Sequence, residues 1–216
     1  MINTDKLKSI YNVFYLRGMW GDMGGGSKSG IGSSIEYAKS YTDNLLQIIE
    51  QYNIKKIFDC SCGDWFWMQH IKDKFEYYVG NDITEQLIMD NMEKFQSENI
   101  TFVSNDMLSQ MKTYQDDEFD LVICRQTLEH LPTEYNVSAI TEMKRISKYG
   151  LITSQKQKTF HANVDINVDV GFIGQSRCID LTLSPYVENL SQPVYKFWDS
   201  RGGESQFGCF GLLYEF

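Results

Sequence analysis

The segment Cys124-Arg125-Gln126-Thr127-Leu128-Glu129-His130-Leu131 places an arginine, a carboxylate and an imidazole directly after the apolar run Phe119 to Cys124. Histidine is the side chain best matched to proton transfer near neutral pH, so His130 is a candidate for acid–base work. A lone histidine serves structure as readily, and the residue types alone leave both readings open. Cys60-Ser61-Cys62-Gly63-Asp64 is a second candidate. There Gly63 lets backbone approach a ligand closely, and the N-terminus of the adjoining helix would favour a negative group such as a carboxylate. Asp82 and Asp106 complete the set. Each lies where a strand should end, and each can bind a ligand or simply cap a helix.

Several chemistries are excluded. No G-x-G-x-x-G is present, which argues against a nicotinamide or flavin enzyme. Cys60-x-Cys62 has no second Cys/His pair at ligand spacing, so no metal site is expected. The glycine-rich stretch Gly24 to Ser34 lacks the phosphate-loop pattern, because Ser27 separates Gly26 from Lys28 and no strand precedes it. It reads as a flexible flap that closes over a ligand with Tyr11 and Trp20, or as a plain linker. A formal charge of −9 without a basic cluster speaks against a nucleic-acid partner. Five cysteines without a repeating spacing and without an export signal read as reduced thiols in a cytoplasmic protein. No apolar run is long enough to span a membrane.

These residues need a scaffold, and 216 residues, 42% of them hydrophobic, suffice for one buried α/β domain. Ser33 and Glu36 are spaced as a capping box ahead of a helix carrying Ala38, Tyr41, Leu45, Ile48, Ile49 and Tyr52. Strands are expected at Lys55–Cys60, Tyr77–Ile83, Ile100–Val103, Phe119–Cys124 and Leu151–Ser154. Helices between them carry Trp65, Met68, Ile71 and Phe75, then Ile88, Met92 and Phe95 after a Thr84 cap. A further helix opens at Pro132-Thr133, and Gly150 ends it. Five alternations predict a doubly wound, mostly parallel sheet. Val194–Trp198 and Cys209–Glu215, joined by the turn Arg201-Gly202-Gly203, predict a closing antiparallel hairpin. Ligands of such a sheet bind beyond the carboxyl ends of its strands, where the strand order reverses.

Together these segments resemble the class I S-adenosylmethionine-dependent methyltransferases. FDCSCGDWFWM stands where that family carries D-x-G-x-G-x-G, with Ser61 and Asp64-Trp65 in place of two glycines. GNDI, SNDM and FDLVICRQTLEHL match its second-, third- and fourth-strand motifs. A bacterial and viral subgroup that reads D-x-x-CGD-x-x-WM is more similar still, with a W-G…S-x-SG-x-GS segment before the first helix. Trp20-Gly21 and Ser27 to Ser33 match that segment here. Its members often accompany genes for surface glycans and small metabolites.

The resemblance implies a Rossmann-like seven-stranded domain over 1–216, with a lid over 1–34 and a core over 35–216. It implies in-line O-methylation of a sugar or glycan hydroxyl, with a small molecule or glycan as acceptor, no nucleic acid, and a homodimer left open. His130 would be the base, Glu129 its rival, and Arg125 would position the acceptor. For S-adenosylmethionine, Gly63 with Asp59, Cys60, Ser61, Asp64 and Trp65 would hold the methionyl part, and the Cys124 carbonyl its ammonium. Asp82 and Ile83 would take the ribose, and Asp106 with Met107 the adenine. Trp20, Ser29, Gly30 and Ser33 would close over it. The alternatives are N- or carboxyl-methylation of a small metabolite, and an inactive cofactor-binding subunit.

Overall fold

The computed structural model describes residues 4–20, 26–157, 163, 177–199 and 207–216. The predicted turn at 201–203 and the first residues of the glycine-rich stretch, 24 and 25, lie outside them.

Helix α1 (Thr4–Leu16) comes first among the described residues and was not among the expected elements. Leu7, Tyr11 and Tyr15 recur at four-residue spacing and form its buried stripe. Helix α2 (Ile35–Tyr52) follows, with Ala38, Tyr41, Leu45, Ile48 and Ile49 buried as expected. Its cap is Ser34 rather than Ser33: Ser34 Oγ accepts from Tyr37 N at 3.4 Å, while Ser33 belongs to the preceding 3-10 turn Ile31–Ser33.

Strands β1 (Lys56–Asp59), β2 (Tyr77–Asp82), β3 (Ile100–Ser104), β4 (Phe119–Cys124) and β5 (Ser147–Gln157) are mutually parallel. β7 (Phe207–Glu215) runs antiparallel to β5, and β6 (Tyr195–Asp199) antiparallel to β7. The order is β3-β2-β1-β4-β5-β7-β6, so the winding reverses between β1 and β4. The expected sheet with its closing hairpin is thus the one observed. Helices α3 (Glu85–Phe95), α4 (Met107–Met111) and α5 (Thr133–Ile146) complete the layers. α4 was not foreseen.

Two cores flank the sheet. Ile57, Tyr78, Leu121, Ile123 and Leu151 face α2, and Phe58, Val79, Val122 and Ile152 face α5. Leu121, Val122 and Ile123 are fully buried, each contributing about 1.5–3 kcal/mol. Successive residues of a central strand thereby supply both layers, which is why β4 runs apolar without a break from Leu121 to Cys124.

Three local expectations fail. Trp65, Met68, Ile71 and Phe75 are buried, but on turns and the 3-10 segment Met68–Lys74 instead of an α-helix. Trp65 itself stands at φ 55, a left-handed geometry that breaks helical continuation. Gly150 lies within β5, paired with Tyr214, where the Phe216 ring packs against it and leaves no room for a side chain. Thr84 occupies the α3 cap position without a capping side-chain bond.

Candidate active site

A cavity of about 640 Å³ opens beyond the carboxyl ends of β1 to β4, at the reversal of strand order. The loops after all four strands contribute to its wall, joined by Gln155 of β5, Cys209 of β7, and Leu7 and Tyr11 of α1. Tyr11 stacks on Trp20 at 5.8 Å, so α1 brings an aromatic pair to one side.

At the β1 and β2 tips the wall is acidic. Asp59 is 3% exposed and accepts from Tyr78 Oη at 2.9 Å and Ser61 N at 3.3 Å. Burial still pushes its carboxyl up to about 7. Asp82 accepts from Gly63 N at 3.3 Å and Thr84 N at 2.9 Å, and burial raises its pKa as well. Those bonds fix the carboxylate at the mouth of the reversal. Next to it, Asn81 Nδ2 donates to the Cys60 carbonyl at 3.0 Å, while Asn81 Oδ1 is buried without a partner. A buried polar atom left so is an acceptor awaiting a donor. Asp106 lines the cavity and also caps α4, accepting from Ser109 N at 2.9 Å and from the Tyr135 hydroxyl.

The glycine-rich stretch is seated on the loop after β1. Ser27 Oγ donates to Asp64 Oδ2 at 2.9 Å, Lys28 N to the same oxygen at 2.6 Å, and Asp64 N to Ser29 Oγ at 2.8 Å. Ser29, Gly30, Ile31 and Ser33 then line the cavity. Its described part is therefore docked rather than a loose linker.

The segment after β4 divides its labour. Arg125 is buried, with Nε and Nη2 each 3.1 Å from the Asp199 carboxylate and Nη1 donating to Gly32 O at 3.0 Å. Its guanidinium lies 4.9 Å from the Tyr41 ring centre. Those nitrogens are committed to the fold, so the expected role in positioning an acceptor gives way to anchoring β6 and the segment around Gly32. Gln126 follows at φ 54, its N–H held by Thr153 Oγ1 at 2.7 Å. Glu129 is 3% exposed: Oε1 accepts from Gln155 Nε2 at 3.2 Å, and among the described residues no hydrogen bond reaches Oε2. His130 is half-buried and lines the cavity beside it.

Three expected site residues are elsewhere. Trp65 is 1% exposed and packs among Tyr78, Phe95 and Phe102, so it is core. Asp64 grips the Ser27–Ser29 segment instead of facing the cavity. Cys124 is buried beneath the loop and does not line the wall. Trp20, Ser29, Gly30, Ser33, Asp59, Cys60, Ser61, Gly63, Asp82, Ile83, Asp106, Met107, Arg125, Glu129 and His130 do. Sequence reasoning missed Asn81 and Thr127, which stand inside the second- and fourth-strand motifs without being singled out, and Tyr135 and Gln155, which belong to no motif. Among the described residues, no group of His, Cys, Asp and Glu side chains could hold a metal ion, and no helix is long and apolar enough to cross a membrane.

Residues 57–150 match the family model described as a methyltransferase domain. That match covers less than half of the chain. It contains all four strand-end loops of the cavity, whereas the Ser27–Ser33 segment, Gln155 and Asp199 lie outside it. The fold is the Rossmann-like methyltransferase fold. The N-methyltransferase NodS of Bradyrhizobium japonicum WM9 is similar at 13% identity and TM-score 0.60, over 83% of this chain and 96% of that one. It has also been solved with S-adenosyl-L-homocysteine. Magnesium protoporphyrin IX methyltransferase (ChlM) of Synechocystis PCC 6803, with bound SAM, is 14% identical at TM-score 0.62, covering 100% of this chain and 99% of its own. The PH0226 protein of Pyrococcus horikoshii OT3 is 16% identical at TM-score 0.63, over 83% and 89%. No curated protein matches the sequence.

Proposed function

We propose that the chain is an S-adenosylmethionine-dependent methyltransferase acting on a hydroxyl of a sugar or similar polar small molecule. One observation carries this reading. The acidic tip of β2 and the Glu129-His130 pair face a single cavity at the strand reversal of a methyltransferase domain.

The residues present fit the methyl donor. Asp82 offers acceptor oxygens to ribose hydroxyls, and Ile83 and Met107 give apolar surface to adenine with Asp106 at their edge. Gly63, Ser29 and Ser33 suit the methionyl end. When bound, S-adenosylmethionine supplies an electrophilic methyl group on a sulfonium. The chain's own task is to align an acceptor, exclude water and take a proton. An alcohol is scarcely ionised at neutral pH, so a base is needed, and His130 holds that role. Glu129 Oε2 accepts a hydrogen bond from the acceptor, and the Tyr11–Trp20 pair gives a sugar's C–H face a surface.

A second reading, methylation of an amine, draws on the charge of the wall. Asp59, Asp82, Asp106 and Glu129 all line it, while Arg125 is committed to Asp199. That balance suits a neutral or cationic acceptor and disfavours a carboxylate. The test is calorimetric titration with S-adenosyl-L-homocysteine, followed by labelled donor with neutral sugars, amino sugars and uronic acids. Binding, and mass gain on a neutral sugar, is expected. Gain on amino sugars alone would select the second reading, and absence of binding would end both.

A further inference from the structure

We infer that Asp64 is a positioning residue for the methyl donor, clasping the segment Ser27 to Ser33 as a strap across the methionyl end of the cavity. The inference rests on the donor reading above.

Asp64 stands where the glycine motif of the resembling family would leave open backbone. Here the position carries a carboxylate, and that carboxylate is directed at the strap. Oδ2 receives both Ser27 Oγ at 2.9 Å and Lys28 N at 2.6 Å, and the Asp64 N–H donates to Ser29 Oγ at 2.8 Å. Ser27 Oγ in turn accepts from Ser29 N at 3.1 Å, which bends the strap back over the loop. The far end is held separately, by Arg125 Nη1 on Gly32 O at 3.0 Å. Between the two clasps lie Ser29, Gly30 and Ile31, all cavity-lining. Gly63 is pressed beneath them at φ 55. Two hydrogen bonds to one ionised oxygen are of the strong, charge-assisted kind, so the strap is pinned at a residue that does not itself face the cavity. Asp64 would then set how tightly donor and product are retained, and leave the methyl-transfer step alone.

The experiment compares Asp64→Ala and Asp64→Asn with the wild-type chain. S-adenosyl-L-homocysteine affinity is measured by calorimetry, kcat and donor KM by turnover, and folding by circular dichroism and thermal melting. Asp64→Ala should weaken S-adenosyl-L-homocysteine binding and raise donor KM by about tenfold or more, with kcat at saturating donor within about twofold. Asp64→Asn can keep an oxygen at the Oδ2 position for both donors but loses the charge that strengthens those bonds, so it should fall between Asp64→Ala and wild type. Wild-type affinity in the folded variants would overturn the inference, as would a loss of kcat at unchanged affinity. If Asp64→Ala does not fold, Asp64→Asn decides. A wild-type chain that does not bind S-adenosyl-L-homocysteine would refute the donor reading itself.

Discussion

A side chain at Gly63 would place its Cβ 2.7 Å from Ser29 Oγ, so the one glycine in the loop after β1 is kept open by a serine thirty-four positions upstream. Gly63→Ala should destabilise the fold by about 1–2 kcal/mol from its positive φ, and should also displace Ser29. Adding Ser29→Gly to Gly63→Ala removes the collision but not the backbone strain. A double-mutant cycle read by calorimetry with S-adenosyl-L-homocysteine and by urea melts should show coupling in binding and little in stability. Purely additive binding losses would mean that the two positions do not sense each other.

Asp82→Ala should weaken donor affinity by about 1–3 kcal/mol, the scale of hydrogen bonds to a charged partner. Part of the loss comes from freeing Gly63 N and Thr84 N, which Asp82 holds at 3.3 and 2.9 Å. An unaltered calorimetric isotherm rejects the ribose assignment.

His130→Ala should slow turnover on a hydroxyl acceptor about 10²–10⁴-fold while donor affinity stays put. Glu129→Gln is the informative companion, because it retains the Gln155 contact at 3.2 Å yet removes the charge beside His130. If Glu129→Gln abolishes turnover and His130→Ala does not, the base is the carboxylate.

Asp59 ties stability to pH. Its carboxyl titrates at about 7 when folded, against 3.8 ordinarily, because burial outweighs the bonds from Tyr78 and Ser61. Folding therefore takes up a proton between those values, and stability falls as pH rises from about 4 to about 7. At roughly 1.4 kcal/mol per unit the span is at most about 4 kcal/mol. Asp59→Asn should lose this slope relative to wild type in urea unfolding across that range. Parallel profiles in the two proteins would contradict the burial argument.

Arg125 and Asp199 form a buried ion pair at 3.0 Å, with side chains 7% and 0% exposed. Removing either partner alone leaves an uncompensated charge, so Arg125→Met or Asp199→Asn should cost about 3–5 kcal/mol. Joining Arg125→Met to Asp199→Leu should recover much of that cost. Chemical denaturation of the three variants checks it, and a double variant no better than the worse single one would show that the site cannot repack.

The sheet and the four loops at its reversal were legible because hydrophobic period and strand-end motifs are local signals. Phe119–Cys124 was read to the residue, since a strand buried on both faces is apolar at successive positions, here Leu121 to Cys124. Helix α4, five residues long, was missed because so short a helix has no period to detect. α1 was missed although its stripe is regular, because Tyr11 fits a cover over a ligand as readily as the buried face of a helix.

What the sequence determined by itself was the order of elements, and with it the place where a ligand must bind. Both follow from side-chain periodicity and from the handedness of strand connections, which neighbouring residues dictate. Only tertiary structure decided which polar groups remain available there. Arg125, Asp64 and Trp65 sit inside the right motifs yet are taken up by Asp199, by Ser27 and Lys28, and by the Phe102 and Tyr78 rings. Tyr135 and Gln155 lie outside the motifs and reach the cavity. Partners separated by tens of residues meet only when the chain is packed, and it is the partner that decides whether a side chain is spent on the fold or left for chemistry.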